Sequence, residues 1–338
     1  MQKRKSTSDK VSIILITWNG LSFIKKTIPK LLELKYSNIQ YIFVDNGSTD
    51  GSTQYLKDIK KNNPDKEIEL ILNTENQGIS IAKNQGANKA TGKYILFLDD
   101  DMLIENDTFL TNLVNYYKQL ENPAFVMPFF LEIKELEKGY TKTYGAYYYL
   151  FGIKNLKKPQ KISNILRYQK HIPIPIAQGG AMFIKNDIWN ELGGFDESQK
   201  FNLDDDDIST RAMIYGYTNY LYNKEYILHL GLTKRMDPNR YAWNELTYFC
   251  GKSKAIWKNF SILTIIWLWF FSSGRIAAES IYHSFTMKTP KIFFSTIQSL
   301  IQFFKDLPHT LKERKIVQSN RKIKDNVILN MKAPKYES

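Results

Sequence analysis

Four short apolar runs alternate with amphipathic stretches in the first 110 residues of the chain. Each run is rich in β-branched residues and apolar at consecutive positions, which is typical of parallel strands buried on both faces. This alternation predicts a parallel sheet with right-handed crossovers. We predict strands at 11–19, 39–46, 68–73 and 94–101, and helices at 21–34, 52–62 and 79–90.

The second half of the chain has a weaker pattern. Residues 130–172 are rich in Tyr and Lys and favour strands and loops around a binding site. A strand, a helix and a Gly-Gly turn are predicted over 181–197, then a helix at 206–217 and a short strand at 226–231. The most apolar stretch, 260–274, and the sequence after it predict a helical C-terminal extension.

Polar residues follow the apolar runs, and ligands bind in α/β sheets beyond the carboxyl ends of the strands. Three aspartates, Asp99, Asp100 and Asp101, end the fourth predicted strand. Side chains alternate across a strand, so Asp99 and Asp101 are expected on one side and Asp100 on the other. Such close carboxylates repel each other unless a cation lies between them. The run is therefore either a solvated strand end or a site for a divalent cation, which binds carboxylate and diphosphate oxygens together.

Four more aspartates, at 204–207, precede an amphipathic helix. Negative charge is favourable at a helix N-terminus, so capping explains at least one of them. Four exceed what capping requires, and a desolvated one could serve as a general base for an acceptor hydroxyl. His229 ends a later strand, where it is either a hydrogen-bonding residue or a metal ligand. Lys234 and Arg235 follow it as phosphate-binding or merely exposed charges.

The formal net charge is +13, but its distribution argues against nucleic acid as a partner. Residues 288–338 hold 11 Lys and Arg against 4 Asp and Glu, a net charge of +7. They follow the apolar stretch 260–274. The uncharged window between Lys258 and Arg275 has 16 residues, fewer than the ~20 needed to span a bilayer. Adjacent apolar and basic segments favour contact with a membrane surface. A buried core helix with a solvated tail is the alternative.

Other features narrow the class of protein. The single cysteine, Cys250, excludes an internal disulfide and a zinc-finger grid. The first ten residues show no apolar stretch of the kind that a secretory signal needs, so we expect a cytoplasmic protein, peripheral at the cytoplasmic face of the membrane. Neither G-x-G-x-x-G after the first strand nor G-x-x-x-x-G-K-[ST] is present, so the common dinucleotide and P-loop cradles are absent.

Four motifs together resemble family 2 glycosyltransferases with the GT-A fold. They are "VSIILITWNG", "VDNGSTDGS", "NQGISIAKNQGANKATGKYILFLDDD" and "GGFDE…LDDDDISTRAMIYGY", in that family's order and at suitable spacing, from Val11 to about Arg235. The resemblance implies an α/β fold with a Rossmann-like, mostly parallel central sheet flanked by helices. It also implies a catalytic domain at 1–240, with a nucleotide-binding half at 1–110 and an acceptor-binding half at 111–240. Residues 241–338 would form a helical, apolar and basic membrane-associating region.

The same resemblance implies roles for individual residues. The family's D-x-D falls on Asp99 and Asp101, and its acidic pair falls on Asp204 and Asp205, with Asp205 as the general base. The expected metal ligands are Asp101, Asp99 and His229. The expected nucleotide-sugar site consists of Thr17, Asn19, Asp45, Asn46, Asn76, Gly78, Lys83, Asp99, Asp100 and Gly180.

Two positions depart from the family pattern. Lys83 stands where the family usually has Arg, which keeps the charge but loses the bidentate fork. The acidic pair, commonly Glu-Asp, is Asp-Asp within a run of four, which leaves the register of the base open by one residue.

The function implied is transfer of a sugar from a nucleotide-diphosphate sugar to a hydroxyl of a glycan or lipid-linked acceptor. Inversion at the anomeric carbon and Mg²⁺ or Mn²⁺ as cofactor are part of this expectation. One alternative is a nucleotidyltransferase that forms sugar nucleotides, although the Gly-rich, Arg-containing phosphate loop which it needs after strand one is absent. Another is a non-catalytic sugar-nucleotide-binding protein, which would not require the second aspartate cluster.

Overall fold

A nine-stranded mixed sheet forms the centre of the computed structural model, which describes residues 9–141, 146–149, 152–155, 160–199, 203–231 and 238–332. The strands are β1 (Val11–Thr17), β2 (Ile39–Asn46), β3 (Glu67–Asn73), β4 (Tyr94–Asp99), β5 (Met102–Leu103), β6 (Pro123–Glu132), β7 (Tyr140–Thr141), β8 (Ala146–Tyr149), β9 (Gly152–Asn155), β10 (Gln160–Lys161), β11 (Ile172–Ile174), β12 (Ala181–Lys185) and β13 (Thr218–His229). The helices are α1 (Leu21–Leu32), α2 (Ser52–Asn62), α3 (Ile79–Lys89), α4 (Phe109–Tyr117), α5 (Ile133–Lys138), α6 (Ile162–Arg167), α7 (Asn186–Leu192), α8 (Asp204–Ile214), α9 (Pro238–Asn259), α10 (Ile262–Thr286), α11 (Lys291–Ser319) and α12 (Asp325–Leu329).

The strand order across the sheet is β3-β2-β1-β4-β12-β6-β13-β11, and β5 pairs with β13. Within the described part of the chain, β1 to β4, β6 and β13 run in one direction, and β5, β11 and β12 run against them. The mostly parallel sheet expected from the sequence is therefore confirmed. Its parallel half brings the carboxyl ends of β1, β2 and β4 to one edge.

The elements predicted before residue 101 all form, with ends that differ by two residues at most. The prediction succeeds because β1 is buried at every position and β4 at all but the last, so their composition is dictated by burial alone. The fourth strand ends at Asp99, and Asp100 and Asp101 lie in the following turn. Side-chain alternation therefore does not extend through the acidic run.

The second half departs further from the predictions. The sequence did not indicate β6, because it contains Pro123 and Pro128, which usually argue against an inner strand. β13 begins eight residues before the predicted strand at 226. Two of its early residues, Asn219 and Asn223, are fully buried and donate from their side-chain amides to backbone carbonyls. A strand that buries amides in this way carries no apolar pattern to read.

The last three long helices pack as a layer. α11 packs lengthwise against α9, and α10 contacts both. Residue 240, the predicted end of the catalytic domain, lies in the first turn of α9, and the boundary stays a prediction. Within the described residues, α10 is the helix long and apolar enough to cross a membrane by length and composition, and 28% of its most apolar window is buried.

A buried ion network ties this layer to α8. The Lys258 ammonium on α9 lies 2.8 Å from Asp207 Oδ2 and 2.6 Å from Asp196 Oδ2. The Arg211 guanidinium lies 2.7 Å from the same Asp207 oxygen, and Asn259 Nδ2 donates to Asp207 Oδ1 at 2.7 Å. Burial acts against the charge of Asp196, but Lys258 more than offsets it and lowers the pKa of Asp196.

We expect Lys258→Met to lower the free energy of unfolding by about 3–5 kcal/mol, because it leaves two buried carboxylates without their shared cation. Lys57→Met on α2 is the matched control, since Lys57 is exposed and its charge is solvated. Urea unfolding followed by circular dichroism measures both variants. Equal stability of Lys258→Met and the control would contradict a structural role for this network.

Candidate active site

The ends of β1 and β4 are joined by one side-chain hydrogen bond. Thr17 Oγ1 donates to Asp100 Oδ2 at 2.6 Å, and Thr27 Oγ1 on α1 donates to the Asp100 carbonyl at 3.0 Å. Burial raises the pKa of the Asp100 carboxyl to about 7, although the bond from Thr17 acts against this rise. Asp100 therefore faces β1 and organises the strand ends rather than pointing away from the site.

Gly20, at the start of α1, lies against this pair. A Cβ atom at Gly20 would be 1.8 Å from Asp100 Oδ2 and 2.6 Å from Thr17 Oγ1. The φ angle of Gly20 is −107°, which any residue can adopt, so its lack of a side chain matters for space alone.

Asp101 faces β13 instead. Asp101 Oδ2 lies 3.1 Å from His229 Nε2, and the Asp101 carbonyl accepts from the Leu230 amide at 2.9 Å. The hydrogen bond with Asp101 raises the pKa of His229. A Cβ at Gly231 would lie 2.2 Å from Asp101 Oδ2, so the backbone closes tightly over the pair.

An imidazole nitrogen and a carboxylate oxygen at this separation are suitable partial ligands for a divalent cation. Both side chains are partly exposed, so further ligands could reach them from outside. Within the described residues, no group of three or more His, Cys, Asp or Glu could hold a metal ion by itself. The pair fits a metal that takes its remaining ligands from a substrate or water.

Asp99 makes no hydrogen bond to this pair among the described residues, but it lies close enough to act electrostatically on both Asp101 and His229. Its amide donates to the Gly180 carbonyl at 3.0 Å, and its Oδ1 atom is buried without a hydrogen-bond partner among the described residues. Burial raises the pKa of Asp99 to about 6, and the nearby Lys83 ammonium limits the rise. A buried carboxylate oxygen without a partner, at the carboxyl end of a strand, is an acceptor that a ligand could use.

The end of β2 holds two loops together through Asp45 and Asn46. Asp45 accepts from the Ser48 amide at 3.0 Å and from the Thr53 hydroxyl. Asn46 is buried, donates to Asn76 Oδ1 at 3.0 Å and accepts from the Gln77 amide at 3.1 Å. Asp45 and Asn46 thus shape the loops that would border a nucleotide.

Two further residues of the predicted nucleotide-sugar site, Gly78 and Asn19, help to hold these loops in place. Asn76 Oδ1 also accepts from the Gly78 amide at 2.9 Å, and Gly78, with φ +92°, begins α3. Asn19 adopts φ +54°, and its Oδ1 accepts from the Thr49 amide at 2.8 Å. The structure therefore brings these predicted nucleotide-site residues to the same edge of the sheet as the acidic run.

Lys83 on α3 is a buried cation between the two aspartate clusters. Its Nζ atom lies 3.1 Å from Asp204 Oδ2 and 3.4 Å from the Gly179 carbonyl. Burial disfavours its charge, but the nearby carboxylates, Asp204 first among them, together outweigh burial and raise the pKa of Lys83. Asp99 and Asp205 also lie close enough to act on that charge.

The four aspartates at 204–207 occupy the first turn of α8, preceded by Leu203 in a left-handed conformation at φ +64°. Asp204, Asp206 and Asp207 are buried, and Asp205 is the partly exposed member of the run. Asp205 Oδ2 accepts from the Gly179 amide at 2.7 Å, and Oδ1 accepts from the Asp206 amide at 2.9 Å. Burial and then the charge of Asp204 raise the pKa of Asp205 to about 6, although Lys83 opposes the rise.

The other members of the run have different surroundings. Burial, followed by the charge of Asp205, raises the pKa of Asp206 well above its ordinary value. Asp207 is held by Arg211 and Lys258. The sequence left the register of the base open by one residue. Asp205 is the accessible candidate, whereas Asp204 is buried and engaged by Lys83, and Asp206 is buried.

The sequence interpretation missed Gly179 and Lys258. Gly179 contacts both Lys83 and Asp205 through its backbone. It forms a Gly-Gly pair with Gly180 directly before β12, and this pair was the sequence signal that could have identified it. Lys258 lies far from the motifs, and no local pattern marks it. Lys234 and Arg235, for which the sequence left phosphate binding and plain surface charge open, lie outside the described residues.

Comparison with known sequences identifies the family and its relatives. The model of glycosyl transferase family 2 matches residues 12–192. An uncharacterized glycosyltransferase of Haemophilus influenzae is 39% identical over 97 residues, which cover 29% of this chain and 38% of that protein. A poly-β-1,6-N-acetyl-D-glucosamine synthase of Staphylococcus epidermidis is 30% identical over 97 residues, which cover 29% of this chain and 23% of the synthase. The chain thus matches well under half the length of these relatives.

A solved structure matches nearly the whole chain. It is a mannosyltransferase from Pyrobaculum calidifontis in complex with GDP-Man and Mn²⁺, with a TM-score of 0.54 and 15% identity. The match covers 94% of this chain and 89% of the mannosyltransferase. At this identity the likeness shows the fold alone, and it confirms the predicted GT-A fold.

We expect Gly20→Ala to break the Thr17–Asp100 bond, because the added methyl group and Asp100 Oδ2 cannot occupy the same space. Overpacking of this kind costs about 1–3 kcal/mol. Gly274→Ala is the control, since a Cβ there meets nothing within 4 Å. Urea unfolding measures the stability of both variants. A Gly20→Ala protein as stable as wild type would contradict the tight packing at this strand end.

Proposed function

The chain belongs to glycosyl transferase family 2, and we propose that it transfers a sugar from a nucleotide-diphosphate sugar to a hydroxyl of a glycan or lipid-linked acceptor, with inversion at the anomeric carbon. The environment of Asp205 is the observation that carries this proposal. Its carboxylate is partly exposed, forms no ion pair with the described residues and is oriented by the Gly179 amide. A carboxylate with a pKa of about 6 is mostly ionised at pH 7 and basic enough to accept a proton.

The proposed reaction is a single displacement. Asp205 takes the proton of the acceptor hydroxyl as that oxygen forms a bond to the anomeric carbon. The bond from this carbon to the diphosphate oxygen breaks at the same time, and the nucleoside diphosphate leaves with the electron pair. Attack from the face opposite the leaving group accounts for inversion.

On the donor side, we propose that the loops joined by Asp45 and Asn46 border the base and ribose, with Thr17, Asn19, Asn76 and Gly78 as neighbours. We propose that Lys83, Asp99 and Asp100 are the ionisable residues next to the donor. The Gly180 carbonyl positions Asp99 by accepting a hydrogen bond from its amide. The GDP-Man bound by the structural neighbour supports a nucleotide sugar as donor.

We propose that Asp101 and His229 hold a divalent cation, Mg²⁺ or Mn²⁺, with Asp99 near its ligand shell. The Mn²⁺ in the mannosyltransferase complex supports a cation in this fold. When bound, the cation would stabilise the negative charge of the leaving diphosphate. The protein's own contribution is to place a carboxylate and an imidazole side by side at the ends of β4 and β13.

A glycan acceptor is supported by one relative, whose name states that it synthesises a poly-N-acetylglucosamine.

Incubation of the purified chain with a panel of nucleotide sugars, with and without Mn²⁺ or Mg²⁺, tests the proposal as a whole. Release of a nucleoside diphosphate from one donor is the expected result. Release from none of them, in the presence of glycan and lipid-linked acceptors, would contradict it.

Asp205→Asn is expected to lower turnover by about 10²–10⁴-fold, the usual contribution of a general base, while the donor still binds. Asp206→Asn is the matched control, because it makes the same change at the next residue, whose side chain is buried and not accessible to an acceptor. Calorimetry measures donor affinity, and product formation measures turnover. Loss of activity in Asp206→Asn with retention in Asp205→Asn would show that the base lies one residue further on.

The pH profile gives an independent check of the same residue. Burial raises the pKa of Asp205 to about 6, so its carboxylate gains a proton as the pH falls through that value. We therefore expect turnover to decline below about pH 6, a higher pH than an ordinary aspartate would give. A turnover that is constant down to the ordinary aspartate range would exclude Asp205 as the base.

Asp101→Asn is expected to weaken Mn²⁺ binding by at least about 10–100-fold, the loss typical even of residues that only support a metal ligand. The amide keeps the shape of the side chain and removes its charge. Calorimetric titration of Mn²⁺ in the presence of a nucleoside diphosphate measures this directly. Asp58→Asn on α2, at an exposed position, serves as the control. Unchanged Mn²⁺ affinity in Asp101→Asn would remove Asp101 from the metal site.

A further inference from the structure

The hairpin formed by α10 and α11 exposes large apolar side chains on its outer surface. Phe270 is 68% exposed and Phe285 is 80% exposed. On each helix, the exposed apolar residues recur at spacings that place them on roughly the same side. We call this surface the apolar hairpin face, and define it by Ile266, Phe270 and Phe285 on α10 and Phe294, Ile301 and Phe304 on α11.

Both helices are also apolar on the opposite side, where they pack against the protein. Leu268 and Ile276 on α10 are buried, as are Ile292 and Phe303 on α11. A surface helix of a soluble protein has one apolar stripe, directed at the core. A second stripe directed outward, over two adjacent helices, marks a surface that contacts another apolar phase.

The two outward stripes meet at the tip of the hairpin. Ile281 and Phe285 from α10 and Phe293 from α11 line a common hollow of about 580 Å³, with Lys288 and Pro290 in the connecting turn. The face is therefore continuous from one helix to the other.

The charged side chains of the chain around the hairpin tip are lysines, whereas Glu279, earlier on α10, pairs with Arg275. Residues 280–305 contain no Asp or Glu and include Lys288, Lys291 and Lys305. Lys288 and Lys305 are exposed. Exposed aromatic residues beside lysines, without acidic residues, complement an anionic lipid surface. A partner protein with an apolar surface would not by itself require this excess of positive charge.

Contacts on the inner side hold α10 on the body of the protein. Trp269 Nε1 donates to Ser253 Oγ on α9 at 2.9 Å, and Thr296 Oγ1 donates to Ser280 Oγ at 2.8 Å. The Ser261 amide at the start of α10 donates to Asp325 Oδ2 at 2.8 Å. A helix that crossed the bilayer would lose these bonds, whereas a helix that lies in the interface keeps them.

We propose that the apolar hairpin face binds the surface of a bilayer containing anionic lipids, with α10 and α11 lying in the plane of the interface and the Phe285–Lys288 tip inserted. This assigns α10 a position in the membrane interface, which is neither the buried core helix considered from the sequence nor a helix that crosses the bilayer. This proposal rests on the proposed function at one point only, which is that the enzyme would reach a lipid-linked acceptor from this surface. Vesicle binding is therefore measured without sugar-transfer substrates.

The test is flotation of the purified full chain with vesicles of phosphatidylcholine, with or without phosphatidylglycerol. Wild type should float with the phosphatidylglycerol vesicles. The double variant Phe270→Ser/Phe304→Ser should lose at least about tenfold in vesicle partitioning on them, because it removes two inserted aromatic side chains. The matched control, Val327→Ser, removes an exposed apolar side chain from α12, off the face, and should bind as wild type does.

A second variant separates charge from apolar contact. Lys288→Gln/Lys305→Gln should weaken binding to phosphatidylglycerol vesicles by roughly fivefold for each lysine, and leave binding to phosphatidylcholine unchanged. Equal losses on both kinds of vesicle would overturn the anionic-lipid proposal.

Two results would overturn the proposal as a whole. In the first, wild type stays unbound with both kinds of vesicle. In the second, wild type is a dimer by light scattering and Phe270→Ser/Phe304→Ser is a monomer, which would show that a second copy covers the face. Unfolding temperatures equal to wild type confirm that the variants are folded. Nucleoside diphosphate release, measured separately, shows whether sugar transfer stands or fails independently of membrane binding.

Discussion

The buried ammonium group of Lys258 is the constraint on which the position of the acidic helix depends. It neutralises Asp207 on α8 and Asp196 in the preceding loop, and a third element, α9, supplies it. Removing water from two carboxylates is costly unless a cation replaces the lost solvation, so these three elements are stable only when they are assembled together. The C-terminal helical layer is thus part of the support of the site, although the motifs end before it begins.

The same physics sorts the four consecutive aspartates of α8 into different states. Lys83 engages Asp204, Lys258 and Arg211 engage Asp207, and burial raises the pKa of Asp206. Asp205 is left partly exposed and ionisable near neutral pH. A run of identical residues therefore presents a single accessible carboxylate, and the helix N-terminus favours the negative charges that remain.

The sequence predicted the parallel half of the sheet because its strands are buried on both faces, and burial leaves a direct pattern of consecutive apolar residues. It predicted the end of β13 but missed residues 218–225, where the buried amides of Asn219 and Asn223 interrupt that pattern. At the site, the motifs identified the residues, but not their partners. Asp100 is hydrogen-bonded to Thr17 on the neighbouring strand, and Lys258 lies on a helix about 50 residues after the aspartate run that it supports. These partners come together only in the folded chain.

The Gly179–Gly180 dipeptide links the two proposed sides of the site. The Gly180 carbonyl accepts from the Asp99 amide on the proposed donor side, and the Gly179 amide donates to Asp205 on the proposed acceptor side. One short backbone segment directly before β12 therefore couples the positions of these two aspartates. A displacement of that segment would move both aspartates together, because each is tied to it by a backbone hydrogen-bonding group rather than by a side chain that could rotate independently.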